Sequence, residues 1–504
     1  MSSRVKKLKY NTVASIVFQL TTLICGFILP KLILSYYGSE TNGLVNSIAQ
    51  FLQMIAFLEL GVGAVVSSSL YKPLSEKNDK RISEIYISAN NFFKKLSYIL
   101  ILYVILLIII YPFLMNDKIN WFSTATLIIA MSISSFAQYY FGIVDRILIS
   151  SDQKGYINYN IQTITLILNN IACVILININ CSIQILKLTT SLIYLLRPLV
   201  LRSYVNKHYN INKRRAIYEE PIQQKWNGVA QHVAAIVLDS TDNIILTVFS
   251  NLTNVSIYSV YYIVVNGIKN MFYAFTFGIQ SFMGNMWACN EYDKLKKVTI
   301  WYEWFVHYII LIIFTCTGIL VVPFISVYTQ GVSDANYIQP VFGFFISLAN
   351  ASYCLRSPYI NLVLAAGKYK ETQNSYIIAA AINIVSSVIL VIYYGLIGVA
   401  LGTFISTLYQ TLWLAHYCNS RLIHFGIKTI YKNYLLDLFT MVIIFCSLDK
   451  FGLSILVCQS YTEWFRYAFI CFFYVFLITT FIQLLFNKEK CLELIYQISL
   501  RVRR

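Results

Sequence analysis

The chain has 504 residues, of which 58% are hydrophobic, 16% aromatic and only 12% charged, with a mean hydropathy of +0.64. A soluble domain carries about twice that share of charge, so much of the apolar surface must meet lipid and a water-soluble enzyme or binding module is excluded. The net charge of +17 does not mark a nucleic-acid partner, because Lys and Arg sit in short clusters between apolar runs, the distribution expected from the positive-inside rule.

The N-terminus is basic (Arg4, Lys6, Lys7, Lys9) and leads into a long apolar run without a small-residue cleavage site, which predicts a retained first helix. Crossing the hydrocarbon core takes about 20 residues. On that measure the chain divides into about fourteen spans, at 12–36, 41–70, 96–116, 120–143, 156–178, 182–202, 226–250, 254–285, 303–327, 341–366, 372–394, 395–417, 430–448 and 464–486. The predicted fold class is all-α, a polytopic membrane bundle. Basic clusters fall in alternate loops, such as Lys72 to Arg81, Arg202 to Lys225, Lys294 to Lys297 and Arg421 to Lys432, whereas the opposite loops are short and nearly uncharged. This alternation predicts cytoplasmic termini. The eleven cysteines, among them Cys25, Cys173, Cys316 and Cys471, lie in apolar stretches without metal-ligand spacing and read as small hydrophobes.

The longest loop separates six spans from the next six. Residues 33–47 (ILSYYGSETNGLVNS) echo residues 245–259 (ILTVFSNLTNVSIYS), each an apolar end, a polar turn and a long second helix. The expected organisation is a six-helix lobe at 1–206, a cytoplasmic linker at 207–225, a second lobe at 226–418 in parallel pseudo-two-fold repeat, and an extra helix pair with a basic tail at 419–504.

Charged groups inside spans are costly and usually face a cavity. Lys269 lies at the middle of the eighth span, on one face with Asn266, Asn270, Tyr273 and Gln280, too deep to snorkel easily. Arg356 sits beside Ser357-Pro358, which interrupts the helix and suits its fork of donors to phosphate. The seventh span carries His232, Asp239 and Asn243 on one face, with Asp242 turned about 80° away. Asp239, His232 and Glu59 are the candidates for ion coupling. Gln50 and Gln53 extend a stripe begun by Asn42 and Asn46, and Lys31 follows Pro30 in the first span. Arg197, before Pro198, reads as interfacial. Neutral stripes recur at Asn158, Gln162, Thr165 and Asn169, and at Thr403, Ser406, Thr407 and Gln410; such groups can bind sugar hydroxyls but more commonly join helices. The chain contains no Walker loop, HExxH or GxSxG, and no metal or other cofactor is expected.

Three stretches resemble the polysaccharide flippases of the multidrug/oligosaccharidyl-lipid/polysaccharide exporter superfamily, the O-antigen and capsule repeat-unit translocases. They are Gly43 to Ile87, Asp239 to Tyr261, and Ala365 to Thr403, the last with Asn383 and the Gly395/Gly398/Gly402 pattern. The resemblance implies two six-helix lobes around a central cavity and alternating access. It implies that undecaprenyl-pyrophosphate-linked oligosaccharide is turned from the cytoplasmic to the outer leaflet of a bacterial cytoplasmic membrane, with membrane lipids, a polysaccharide polymerase and chain-length proteins as partners. Lys269, Arg356, Asn266, Asn270, Gln50, Gln53, Asn383 and Lys31 are then the cavity residues. The expectation requires buried ions from the two halves to meet in one wet chamber.

A drug or small-solute exporter would share this architecture but favour an acidic cavity. Lys269, Arg356, Asp239 and Glu59 balance near neutrality, which leaves both readings open. A polysaccharide polymerase or other membrane enzyme needs a substantial outer loop, and only 328–340 and 449–463 have any length, so the chain is expected not to be an enzyme. Coupling to protons or sodium ions is open at this stage.

Overall fold

The computed structural model of the chain describes residues 2–114, 120–212, 241–424, 426–448 and most of 450–494. Every regular element among the described residues is helical. The protein is an all-α polytopic membrane protein. It forms two compact units, Met1–Ile236 with Asn251–Ser256, and Val237–Ser250 with Ile257–Arg504.

The first unit starts with α1 (Ser2–Gln53), which is two helices joined at Gly38. Gly38 has φ 80° and ψ 173°, a conformation closed to side-chain-bearing residues, so the polar turn expected at Ser39–Thr41 contracts to a kink at this glycine. A 3-10 turn at Met54–Ala56 separates α1 from α2 (Phe57–Ser75). Next, α3 (Asp79–Leu114) reaches well before the expected span at 96, and α4 (Trp121–Ala137) is capped by Asn120, which accepts from the Phe122 amide at 3.0 Å. A π-turn at Gln138–Gly142 leads into α5 (Ile143–Ser151), followed by α6 (Gly155–Asn178) and α7 (Ile183–His208). The π-turn lies where a Cβ on Gly142 would stand 2.6 Å from Pro198 Cβ of α7. The extra residue in the turn re-aims α4 around that contact.

In the second unit, residues 241–249 are helical (α8), followed by α9 (Leu252–Ala288). The central element is α10 (Tyr292–Tyr328), buried along most of its length among α11 (Pro340–Leu355), α15 (Ile427–Leu448) and α16 (Tyr461–Phe486). Tyr308, Ile312 and Cys316 of α10 pack against Ile444 of α15 and Cys471 and Val475 of α16. α12 (Ser357–Ala365) continues from α11 after a break. α13 (Tyr369–Tyr394) and α14 (Leu396–Tyr417) cross closely: a Cβ on Gly398 would lie 2.1 Å from the Leu390 carbonyl oxygen, and one on Gly402 would lie 2.7 Å from the Ser387 amide. Small residues four apart let membrane helices approach at backbone distance.

Ten of the described helices are long and apolar enough to cross a membrane. They coincide with ten of the expected spans. The expected 226–250 lies largely outside the described residues, 254–285 runs within α9, and the segments 41–70 and 341–366 are each broken. The breaks fall in segments that carry polar stripes or mid-span charges.

At the loop before α6, Asp152 gathers three partners. Lys154 Nζ lies 2.7 Å from Oδ2, Lys7 Nζ 3.3 Å from Oδ1, and the Tyr209 hydroxyl donates to Oδ2 at 2.8 Å. Asn11 of α1 adds a bond to the Gln153 carbonyl at 2.9 Å. Burial works to raise the Asp152 carboxyl, but the bonds from Lys154 and Tyr209 and the charges of Lys154 and Lys7 hold it below the usual carboxylate range. Burial and the bond to Asp152 push the Tyr209 phenol up.

Two outcomes follow for the scaffold. Gly402→Val should overpack the α13–α14 crossing by about 1–3 kcal/mol, lowering the thermal midpoint of the purified protein. Because the Asp152 carboxyl titrates below its unfolded value of about 3.9, its clasp stabilises the fold above that pH and loses the contribution as pH falls through the folded value. Asp152→Asn should therefore lower the melting midpoint at neutral pH, and the difference from wild type should shrink progressively as pH falls below about 4.

Candidate functional site

The break between α11 and α12 sets the site. Pro358 enters the first turn of α12, so the helix restarts at Ser357 and Arg356 is left at the junction, with φ −74° and ψ −11°. Its carbonyl accepts from the Tyr359 and Ile360 amides at 3.1 and 3.0 Å. The guanidinium turns back over Tyr353, with Cζ 3.4 Å from the ring centre, and Nη1 donates to Gln410 Oε1 of α14. Lys269 of α9 approaches the same ring, with Nζ 4.5 Å from its centre and 5.8 Å from that of Tyr262. Tyr273, one turn further along α9, donates to the Tyr353 carbonyl at 3.3 Å and meets its ring edge-on at 5.9 Å.

Lys269 is only 6% and Arg356 only 4% exposed. Two cations thus share one phenol ring in the interior of the second unit. Each desolvated cation–π contact of this kind contributes about 2 kcal/mol. That is less than the cost of removing a cation from water, so the cluster gains from anionic company. Both cations come from the second unit, not from opposite halves.

Asp242, in α8, supplies a negative group to the same cavity and is 5% exposed. The Tyr258 hydroxyl donates to its Oδ2 at 2.6 Å, and Thr403 Oγ1 stands 2.9 Å from both carboxyl oxygens. Asn383 fixes that arrangement from behind: it accepts from Thr241 at 2.7 Å and donates to Thr403 at 3.1 Å and to Ser406 at 3.4 Å. The cavity, lined by Asp242, Lys269, Tyr353, Asn350, Thr403 and Thr407 among others, holds about 20 Å³. That is room for a water and no more.

The other expected site residues distribute as follows. Asn266 is half-buried and Asn270 exposed on α9. Gln50 and Lys31 are half-buried and Gln53 exposed on α1, in the first unit. Glu59 falls within α2, and His232 and Asp239 lie outside the described residues. Arg197, expected at the interface, instead donates through Nε to Thr165 at 2.7 Å and stacks on Tyr194 at 3.8 Å. With Arg146, Asn158 and Gln162 it lines a polar pocket of about 110 Å³ in the first unit. Among the described residues no group of three or more His, Cys, Asp or Glu is placed to hold a metal ion.

Sequence reasoning missed Tyr353 and set Asp242 aside. The signal for Tyr353 was its position three residues before Arg356 on one helix face. Asp242 was judged by its angle to Asp239, although only the neighbouring helices decide which face looks inward.

No protein-family model and no curated protein sequence matches the chain. Solved structures do. The lipid II flippase MurJ in an inward closed conformation superposes with a TM-score of 0.68 over 94% of this chain and 98% of that one, at 16% identity. The Vibrio cholerae MATE transporter VcmN in its bent form gives 0.53 over 86% and 99%, at 10% identity. An inward-facing multidrug resistance MATE transporter of the MOP superfamily gives 0.54 over 79% and 95%, at 12% identity. The chain is thus a multi-pass membrane protein with the fold of the MurJ flippase and the MATE transporters.

Proposed function

We propose that this protein is a flippase that carries an undecaprenyl-pyrophosphate-linked oligosaccharide from the cytoplasmic to the outer leaflet of a bacterial cytoplasmic membrane, for assembly of a surface polysaccharide. The observation that carries the proposal is the buried pair Lys269 and Arg356, both held against the Tyr353 ring. Moving a pyrophosphate through hydrocarbon unaided costs many kcal/mol, since even an unpaired polar group costs roughly 2–7 kcal/mol. A transporter lowers that barrier by offering fixed cations in place of water. An Arg at a helix break presents its planar fork to phosphate oxygens, and a Lys adds a compact charge. Likeness of fold to a lipid II flippase supports a lipid-linked substrate class.

In the conformation described here the cavity takes a water, not a pyrophosphate, so transport needs the α11–α12 break to open around the cations. The Asn, Gln and Thr stripes would meet the sugar hydroxyls, while the lipid chain stays in the bilayer. Lys269 and Arg356 lead the substrate-binding set, with Asn266, Asn270, Gln50, Gln53 and Lys31 as secondary sugar contacts. Asn383 acts through Thr403 on Asp242. Asp239, His232 and Glu59 are the ion-coupling candidates, and Asp242, which lines one cavity with Lys269, joins them. A drug exporter of the same fold draws support from that buried carboxylate, which suits a cationic solute.

Lys269→Gln and Arg356→Gln should each lower surface polysaccharide by at least about tenfold, the effect of losing about 1.4 kcal/mol, with membrane levels of the protein unchanged and lipid-linked oligosaccharide accumulating in the cytoplasmic leaflet. Normal polysaccharide in both variants would remove the pair from the mechanism. Increased sensitivity to cationic dyes on deletion, with polysaccharide intact, would favour the exporter.

A further inference from the structure

A second group of buried ionisable side chains lies in the same unit, on α10, α12 and α15. His307 Nδ1 of α10 stands 2.5 Å from Asp437 Oδ2 of α15, and the His307 ring is 1% exposed. One turn earlier on α10, Glu303 is fully buried and accepts from the Tyr359 hydroxyl of α12 at 2.9 Å. Tyr434 of α15 stands edge-on against the His307 ring at 4.8 Å. Four polar atoms in this cluster are buried without a hydrogen-bond partner: His307 Nε2, Glu303 Oε2, Asp437 Oδ1 and the Tyr434 hydroxyl. Orphaned acceptors at this density are rare in a settled core and cost about 1–3 kcal/mol each.

The charge balance says what the cluster lacks. The ionisable groups acting on His307 are Asp437, Glu303 and Lys490, the last from the helical segment after α16. Those acting on Tyr359 and Tyr434 are again Glu303 and Asp437, and α16 faces α10 through the neutral Gln483, which accepts from Trp304 at 2.9 Å. With His307 neutral, two carboxylates against one ammonium leave a net negative charge at the cluster. One added proton, taken on His307 Nε2 while Nδ1 faces Asp437, cancels it.

We infer that Glu303, His307 and Asp437 form an exchangeable proton-binding site that couples proton occupancy to the Lys269–Arg356 pair. The link is α12. Tyr359, held by Glu303, lies one turn beyond Arg356 on the same short helix, and its amide bonds to the Arg356 carbonyl at 3.1 Å. Proton gain at the cluster weakens the hold of Glu303 on Tyr359 and frees the break on which Arg356 sits. The inference rests on the flippase proposal for its consequence, but the site itself can be tested apart from transport.

The full-length protein in lipid nanodiscs is melted at a series of pH values between about 5 and 8. The wild-type midpoint should move by about 3 °C across that range, and His307→Gln and Glu303→Gln should flatten the profile. Asp437→Asn, which keeps the side-chain shape, gives the same reading from the α15 side. Acidification should also add a protonated-carboxyl band to the wild-type infrared difference spectrum. A flat wild-type profile without that band, or profiles of the folded variants that superimpose on wild type, would overturn the site. Either result leaves the flippase proposal to the Lys269 and Arg356 variants. A pH-dependent profile alongside normal polysaccharide in those variants would overturn the transport proposal and leave the proton site standing.

Discussion

Ionised groups buried among lipid-facing helices dominate the energetics of the second unit. A charge inside hydrocarbon is tolerated only where another charge, a π-face or a hydrogen-bonding wall replaces water. Arg356 and Lys269 find the Tyr353 ring, Asp242 finds Tyr258 and Thr403, and Glu303 finds Tyr359. Tyrosine recurs because it supplies an apolar body, a π-face and a hydroxyl at once. The chain carries 39 of them, more than any other aromatic, so cations can be held without a matching number of acids.

Backbone interruptions place these groups. A regular helix satisfies its own amides and turns side chains by about 100° per residue, so neighbours in sequence diverge. At Arg356 the ladder stops, the carbonyl accepts two amides from the next helix, and the guanidinium can fold back over a residue of the preceding turn. In the first unit the π-turn at Gln138–Gly142 bends α4 against Pro198, beside the pocket holding Arg146 and Arg197. Each break lies next to a cation. The same sites that weaken the ladder are those able to shift between two arrangements.

Much of this was legible in the sequence, for identifiable reasons. Depth within an apolar run picked out Lys269, and Pro358 marked the break beside Arg356, because solvation and proline chemistry act locally. The small-residue spacing of Gly398 and Gly402 announced a close crossing for the same reason. Relations between helices were not legible. Glu303, His307 and Asp437 lie on two helices far apart in sequence, and only the packing of α15 on α10 makes them one cluster. The groups that hold Arg197, Thr165 and Tyr194, lie on two different helices and were likewise not legible. Gln53 shows how little periodicity alone says of a side chain's surroundings. It continues the periodic stripe of Asn42 and Asn46, yet α1 ends there and the side chain is exposed.

Two ionic clusters of the second unit are joined by one short helix. Among the described residues the first gathers Lys269, Arg356 and Asp242, and the second Glu303, His307, Asp437 and Lys490. On the two proposals, an anion is the ligand of the first and a proton that of the second. On the proposed function, a phosphate group arriving at Arg356 would draw the guanidinium from Gln410 and Tyr353, and that displacement would reach Tyr359 one turn away. On the proton-site inference, a proton arriving at His307 would relax the acid that holds Tyr359 from the other side. Both ligands therefore act on the same nine-residue helix α12, and the free energy each contributes to moving it is shared with the other, which is the thermodynamic content of coupling.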